Sequence, residues 1–218
     1  MGFFKNLFNG PTKSDSEASR LLDLASALHV GATEPMSPLM NNVTKHFQAK
    51  GKNSVGPDDL FNEIQAIYKE ALILAQQNNE RNIECTILFN LGRLCQDPPK
   101  KRLFLDNPMK TLEAHLDQMG EDLRTGNYAK YASDDDAMKS RQFLAISYYQ
   151  EALKQARVTA NITVEACCLL NIATVYRFLC DAQQHGIFLQ QAKDKVHLVA
   201  DNAMRIKIIK AIDQELSL

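Results

Sequence analysis

One stretch of this chain is written twice. Shifted by 81 residues, Tyr68 falls on Tyr149, Glu70 on Glu151, Ala71 on Ala152, Leu72 on Leu153 and Ala75 on Ala156. Further along, Glu84 falls on Glu165, Leu88 on Leu169 and Asn90 on Asn171, with Ile83/Val164, Leu91/Ile172 and Gly92/Ala173 as conservative pairs. A match at a fixed period marks stacked units, each unable to bury its apolar face alone. Within each copy the apolar residues recur at three- and four-residue steps, the spacing of one helix face. The expected fold class is therefore all-α: an irregular array of helical hairpins, an α-solenoid, with extra helices at the amino end. Such arrays present binding surfaces rather than closed reaction chambers.

Composition narrows the partner. The 25 basic and 26 acidic residues leave a formal net charge of -1. That balance gives no global field to draw nucleic acid or an anionic membrane. Few glycines and prolines, and no tryptophan, suit helices. No run of about 18 apolar residues exists to cross a bilayer. The five cysteines (Cys85, Cys95, Cys167, Cys168 and Cys180) fall in helical, core-like stretches without the spacings of a disulfide framework. Reduced, buried thiols and a cytoplasmic setting are expected.

Punctuation divides the chain. Residues 1–13 read as a tail whose Phe3, Phe4, Leu7 and Phe8 share one side if helical, closed by Gly10-Pro11. Membrane contact through residues 1–10 is one reading. An apolar arm over the core is favoured, since a lone lysine attracts lipid weakly. Residues 14–57 form the amino-terminal helices and linker, opened by a Ser14/Glu17 capping box, with Ser37-Pro38 starting a second helix. Residues 58–200 carry the repeats, with helices expected at about 58–77, 82–96, 108–124, 134–159, 163–181 and 184–199. Residues 201–218 are expected to be a capping helix. The stretch 100–139 is irregular and stands where a clean repeat unit is expected between the two copies.

The two copies carry a motif. Tyr68-Lys-Glu-Ala-Leu-Ile-Leu-Ala75 is followed by Asn90-Leu-Gly-Arg-Leu-Cys95, and Tyr149-Gln-Glu-Ala-Leu-Lys-Gln-Ala156 by Asn171-Ile-Ala-Thr-Val-Tyr176. This resembles the tetratricopeptide repeat, in its longer variety of about 40 residues. The resemblance implies that Ala71, Ala152, Gly92 and Ala173 are small contacts between closely approaching helices. It also implies a groove lined by Phe89, Asn90, Arg93 and Gln96 in one unit and by Leu170, Asn171, Thr174 and Arg177 in the other. There asparagine would hold an extended peptide by its backbone and arginine would fork onto a carboxylate. The alternative role for Asn90 and Asn171 is tying neighbouring helices.

Catalytic motifs are missing from the sequence: no phosphate loop, dinucleotide fingerprint or nucleophile elbow occurs. His29, His46, His115, His185 and His197 are scattered. Glu113, His115 and Asp117 crowd one helix, but a two-residue spacing turns His115 from the acids. No metal, cofactor or nucleic acid is expected. The leading expectation is a cytoplasmic adaptor, not an enzyme, that binds a partner peptide or helix through the groove. A bacterial effector or secretion-system component on the same scaffold, acting in a host cytosol, is the second. An enzyme with a site assembled from distant residues is the third.

Overall fold

The computed structural model describes residues 16–33, 38–100, 103–105, 113, 116–117 and 135–217. Among them are eight multi-turn helices: α1 (Glu17–Thr33), α2 (Met40–Ala49), α3 (Pro57–Gln77), α4 (Arg81–Gln96), α5 (Asp135–Val158), α6 (Ile162–Phe178), α7 (Ala182–Val196) and α8 (Asn202–Leu216). The protein is an all-α helical array. The expected tail at 1–13, the Ser14 cap, the Ser37 cap and most of the helix expected at 108–124 lie outside the described residues.

Local chemistry places the helix ends. Pro57 occupies the first turn of α3, where its missing N–H costs nothing, and Asp58 and Asp59 meet the positive end of the helix. Asn161, Asp181 and Asp201 accept the Val164, Gln184 and Met204 N–H groups at 3.2, 3.0 and 2.9 Å, capping α6, α7 and α8. Ser16 Oγ accepts the Ser19 N–H at 3.2 Å at the start of α1. Left-handed residues end α3, α5 and α6: Asn79 (φ 55°), Ala160 (φ 52°) and Cys180 (φ 59°). Asn79 and Ala160 are again 81 residues apart. Asparagine tolerates this conformation and alanine does not, by roughly 1 kcal/mol. Ala160 is exposed, so nothing is lost from the core by replacing it. Ala160→Gly is expected to raise the thermal midpoint by about 2 °C in a melt followed by circular dichroism.

The helices stand in two rows. α1, α4, α6 and α8 touch in succession. α3 lies against α1 and α4, α5 against α4 and α6, and α7 against α6 and α8. The 81-residue shift carries α3 onto α5 and α4 onto α6. The sequence put an irregular unit, an inserted helix or loop in place of a clean repeat, between the copies, and α4 packs directly and extensively on α5. Residues 97–134 are thus inserted between two paired helices. An insertion about as long as a hairpin gives the same spacing as a doubled repeat, so the period alone misleads.

Close approach explains the small residues. A Cβ on Gly92 would stand 2.6, 2.7 and 2.9 Å from Tyr149 Cε1, Cδ1 and Cζ, so only glycine admits that ring. A Cβ on Gly31 would stand 2.7 Å from both the Leu39 carbonyl oxygen and Val43 Cγ2, which is how α2 seats on α1. One buried cluster joins α1 to α4, and a second joins α4 to α8. Phe61, Leu72 and Tyr148 pack against both. The core therefore runs across the boundary expected at residue 57.

One two-residue ladder interrupts the helices. β1 (Ser54–Val55) pairs antiparallel with β2 (Leu103–Phe104), Ser54 facing Phe104 and Val55 facing Leu103. The Leu105 N–H donates to the Asn53 carbonyl at 2.9 Å, and Gln48 Nε2 donates to the Leu105 carbonyl at 3.2 Å. Two residues are too few to display the alternation by which a strand is recognised in sequence. The first stretch after α4 is thereby tied to the α2–α3 corner.

Candidate functional site: a cleft at the helix ends

The carboxyl ends of α4 and α6 and the amino ends of α3 and α5 gather at one end of the array. Between them is a cleft of about 540 Å³. Pro57 and Asp58 come from α3, Cys95 and Gln96 from α4, and Pro98, Pro99 and Lys100 from the segment after it. α5 contributes Ala137, Met138, Arg141 and Gln142, and α6 contributes Thr174, Arg177 and Phe178. Pro98-Pro99 stops α4 here, because proline donates no helical N–H and disfavours helix before it. Antiparallel packing of α4 on α5 then brings Arg141 and Gln142 across from the end of α4.

The polar groups of the cleft are held in specific ways. Gln142 is buried, 5% exposed, and its Nε2 donates at 3.3 Å to the Gln96 carbonyl, a helix-end oxygen with no partner in its own helix. Its Oε1 accepts no hydrogen bond from any described residue. Gln96 Oε1 accepts the Tyr149 hydroxyl at 2.6 Å. The Arg141 guanidinium stands 5.8 Å from the centre of the Phe61 ring, a cation–π distance. Lys100 pairs with Asp97 at 3.3 Å. Thr174 donates to Glu215 Oε1 at 2.9 Å, and Arg177 Nε lies 2.9 Å from Glu215 Oε2. Glu215 belongs to α8.

The structure divides the eight groove residues expected from the sequence. Gln96, Thr174 and Arg177 meet in the cleft. Phe89 and Leu170 are core residues at 0% and 1% exposure, so they present no surface to a partner. The Phe89 and Tyr149 ring centres are 5.6 Å apart. Asn90 and Asn171 are also buried. Asn90 Nδ2 donates to Ser26 Oγ at 3.3 Å, and the Tyr68 hydroxyl reaches the same oxygen at 3.3 Å, so Asn90 ties α4 to α1. Asn171 Nδ2 donates to the Cys167 carbonyl at 2.8 Å within its own helix. Arg93 is half-buried, and its charge acts on Tyr68, Tyr149 and Cys167, against the rise that burial imposes on them.

Arg141, Gln142 and Glu215 were not singled out in the sequence. Arg141 and Gln142 fall before the stretch where the copies match, opposite Leu60 and Phe61 under the shift, so the repeat carries no signal for them.

Four cysteines are buried as expected, and Cys180 is exposed in the α6–α7 turn. It occupies the left-handed position just after α6, outside the apolar stripe. Burial pushes the Cys85 thiol up to about 12, helped by the Glu84 charge, and Cys95 up to about 11 against the nearby cations Lys69 and Arg141. Cys167 and Cys168 are raised by the same desolvation. Thiols held so far above neutrality are poor nucleophiles. Among the described residues, no group of three or more His, Cys, Asp or Glu is arranged to hold a metal ion. No described helix is long and apolar enough to cross a membrane. No protein-family model, curated protein or solved structure matches this chain.

Proposed function

We propose that the protein is an adaptor that holds an extended segment of another protein in the cleft at the ends of α4, α5 and α6, and that this segment carries a carboxylate. The supporting observation is the company that Arg177 keeps. It shares one apolar-walled cleft with Lys100 and Arg141, and residues from both copies of the repeated helix converge there. The cleft volume is in the ordinary range of about 300–1,000 Å³ for ligand pockets. Pro57, Pro99, Met138 and Phe178 supply apolar surface. The guanidinium groups supply forked donors matched to a carboxylate. The proposal also rests on the resemblance to tetratricopeptide repeats, whose helical arrays bind peptides.

The test is selection of peptides from a displayed library on the full chain, followed by calorimetric titration. Selected peptides are expected to carry an acidic residue or a free carboxyl end. Arg141→Gln is expected to weaken them about tenfold, the effect of losing one charge-assisted hydrogen bond, with the thermal midpoint held within about 2 °C. A library that yields no binders, or binders indifferent to Arg141→Gln and Lys100→Gln, would refute the proposal.

A further inference from the structure

If the cleft takes a carboxylate, one of its guanidinium groups already has one as a neighbour. Glu215, in the last turn of α8, sends its carboxylate to Thr174 and Arg177, two of the three α6 residues that line the cleft. We propose that Glu215 is an internal competitor for Arg177, so that α8 is a latch on the cleft which an acidic partner must displace. This inference rests on the peptide-binding reading above.

Four observations support it. The Glu215 side chain is 11% exposed and that of Arg177 33%, so the pair closes off the inner part of the guanidinium. The contact is incompletely made: Arg177 Nε and Glu215 Oε2 are 2.9 Å apart but not aligned as a hydrogen bond, and both atoms are buried without one among the described residues. His185 Nε2, 3.6 Å from the same oxygen, is too far for a hydrogen bond and is buried without one among the described residues. Finally, a carboxylate in the last turn of a helix faces the negative end of that helix's dipole. A buried polar network that is only partly satisfied is held at a cost. A second carboxylate, arriving with better geometry, exchanges a poor contact for a good one. The energetic difference between latched and open is then small, as a switch requires.

The test uses the full chain, a synthetic N-acetylated tetraglutamate peptide, and three proteins: wild type, Glu215→Gln and Asp213→Asn. Asp213 is exposed on the same turn, so its substitution makes the same change of charge without touching Arg177. Glu215→Gln is expected to bind the peptide about tenfold more tightly than wild type, and Asp213→Asn about equally. Addition of peptide to wild type is expected to speed amide hydrogen exchange in α8 and leave α3 unchanged. Equal binding to wild type and Glu215→Gln, with α8 exchange unaltered, would overturn the latch while leaving the cleft a carboxylate site. Binding to none of the three would remove the carboxylate reading and the latch together. If Glu215→Gln does not fold by circular dichroism, exchange in wild type decides alone: an α8 unmoved by bound peptide overturns the proposal.

Discussion

Gly92→Val is expected to destabilise the protein by about 3 kcal/mol and to lower its thermal midpoint by roughly 6–12 °C. The cause is a single contact. The Tyr149 ring lies on the bare backbone of α4, within 2.6–2.9 Å of where a side chain at residue 92 would begin. Tyr149 is fully buried, its hydroxyl is fixed on Gln96, and Phe89 flanks its ring. It has nowhere to retreat. The smaller change, Gly92→Ala, makes the sign diagnostic. In a helix interior that substitution ordinarily gains about 1 kcal/mol. Here it is expected to lose about that amount. A thermal or denaturant melt in which alanine stabilises the protein would show that α4 and α5 do not approach as described.

The second large effect lies in an ion cluster built around one buried carboxylate. Glu165 is 3% exposed, and its Oε1 lies 3.1 Å from both Arg157 Nε and Lys195 Nζ. One carboxylate on α6 thus binds α5 and α7 together. Removing one partner of such a cluster costs more than forming it gains, because the charge left behind stays out of water. Arg157→Met with Lys195→Met is expected to lose about 3–5 kcal/mol by urea denaturation. Adding Glu165→Met to that pair is expected to restore most of the loss, since an apolar side chain of similar volume needs no counter-charge. If the triple variant is no more stable than the double, the carboxylate is not the source of the cost.

Much of this was readable in the chain. The aligned glutamates Glu84 and Glu165 are both tied to the preceding helix. Gln76 Nε2 reaches Glu84 Oε1 at 3.0 Å, and Arg157, its counterpart under the shift, reaches Glu165. Helix positions followed from apolar spacing and from proline and glycine punctuation, because those signals are local. Three things did not follow. Periodicity counts residues and not neighbours, so it could not distinguish an inserted segment from a stacked unit between α4 and α5. Nor did it separate the two roles of one helix face: Asn90 and Arg177 both belong to the first row, but α1 meets one and α8 the other. Glu215 had no sequence signal at all, since its importance arises only where α8 lands beside the end of α6. The cleft is a product of tertiary packing at helix ends, where the repeat pattern stops.

The ladder of β1 with β2 has a consequence for what frames the cleft. It fixes Leu103–Phe104 on the α2–α3 corner, while α5 is fixed on α4. The two ends of the stretch between them are therefore set by other residues. Neither the Tyr149–Gly92 contact nor the Glu165 cluster draws on it. Lys100, shortly before β2, and Ala137, near the start of α5, both line the cleft. The cleft is therefore framed by anchored backbone on either side of that stretch.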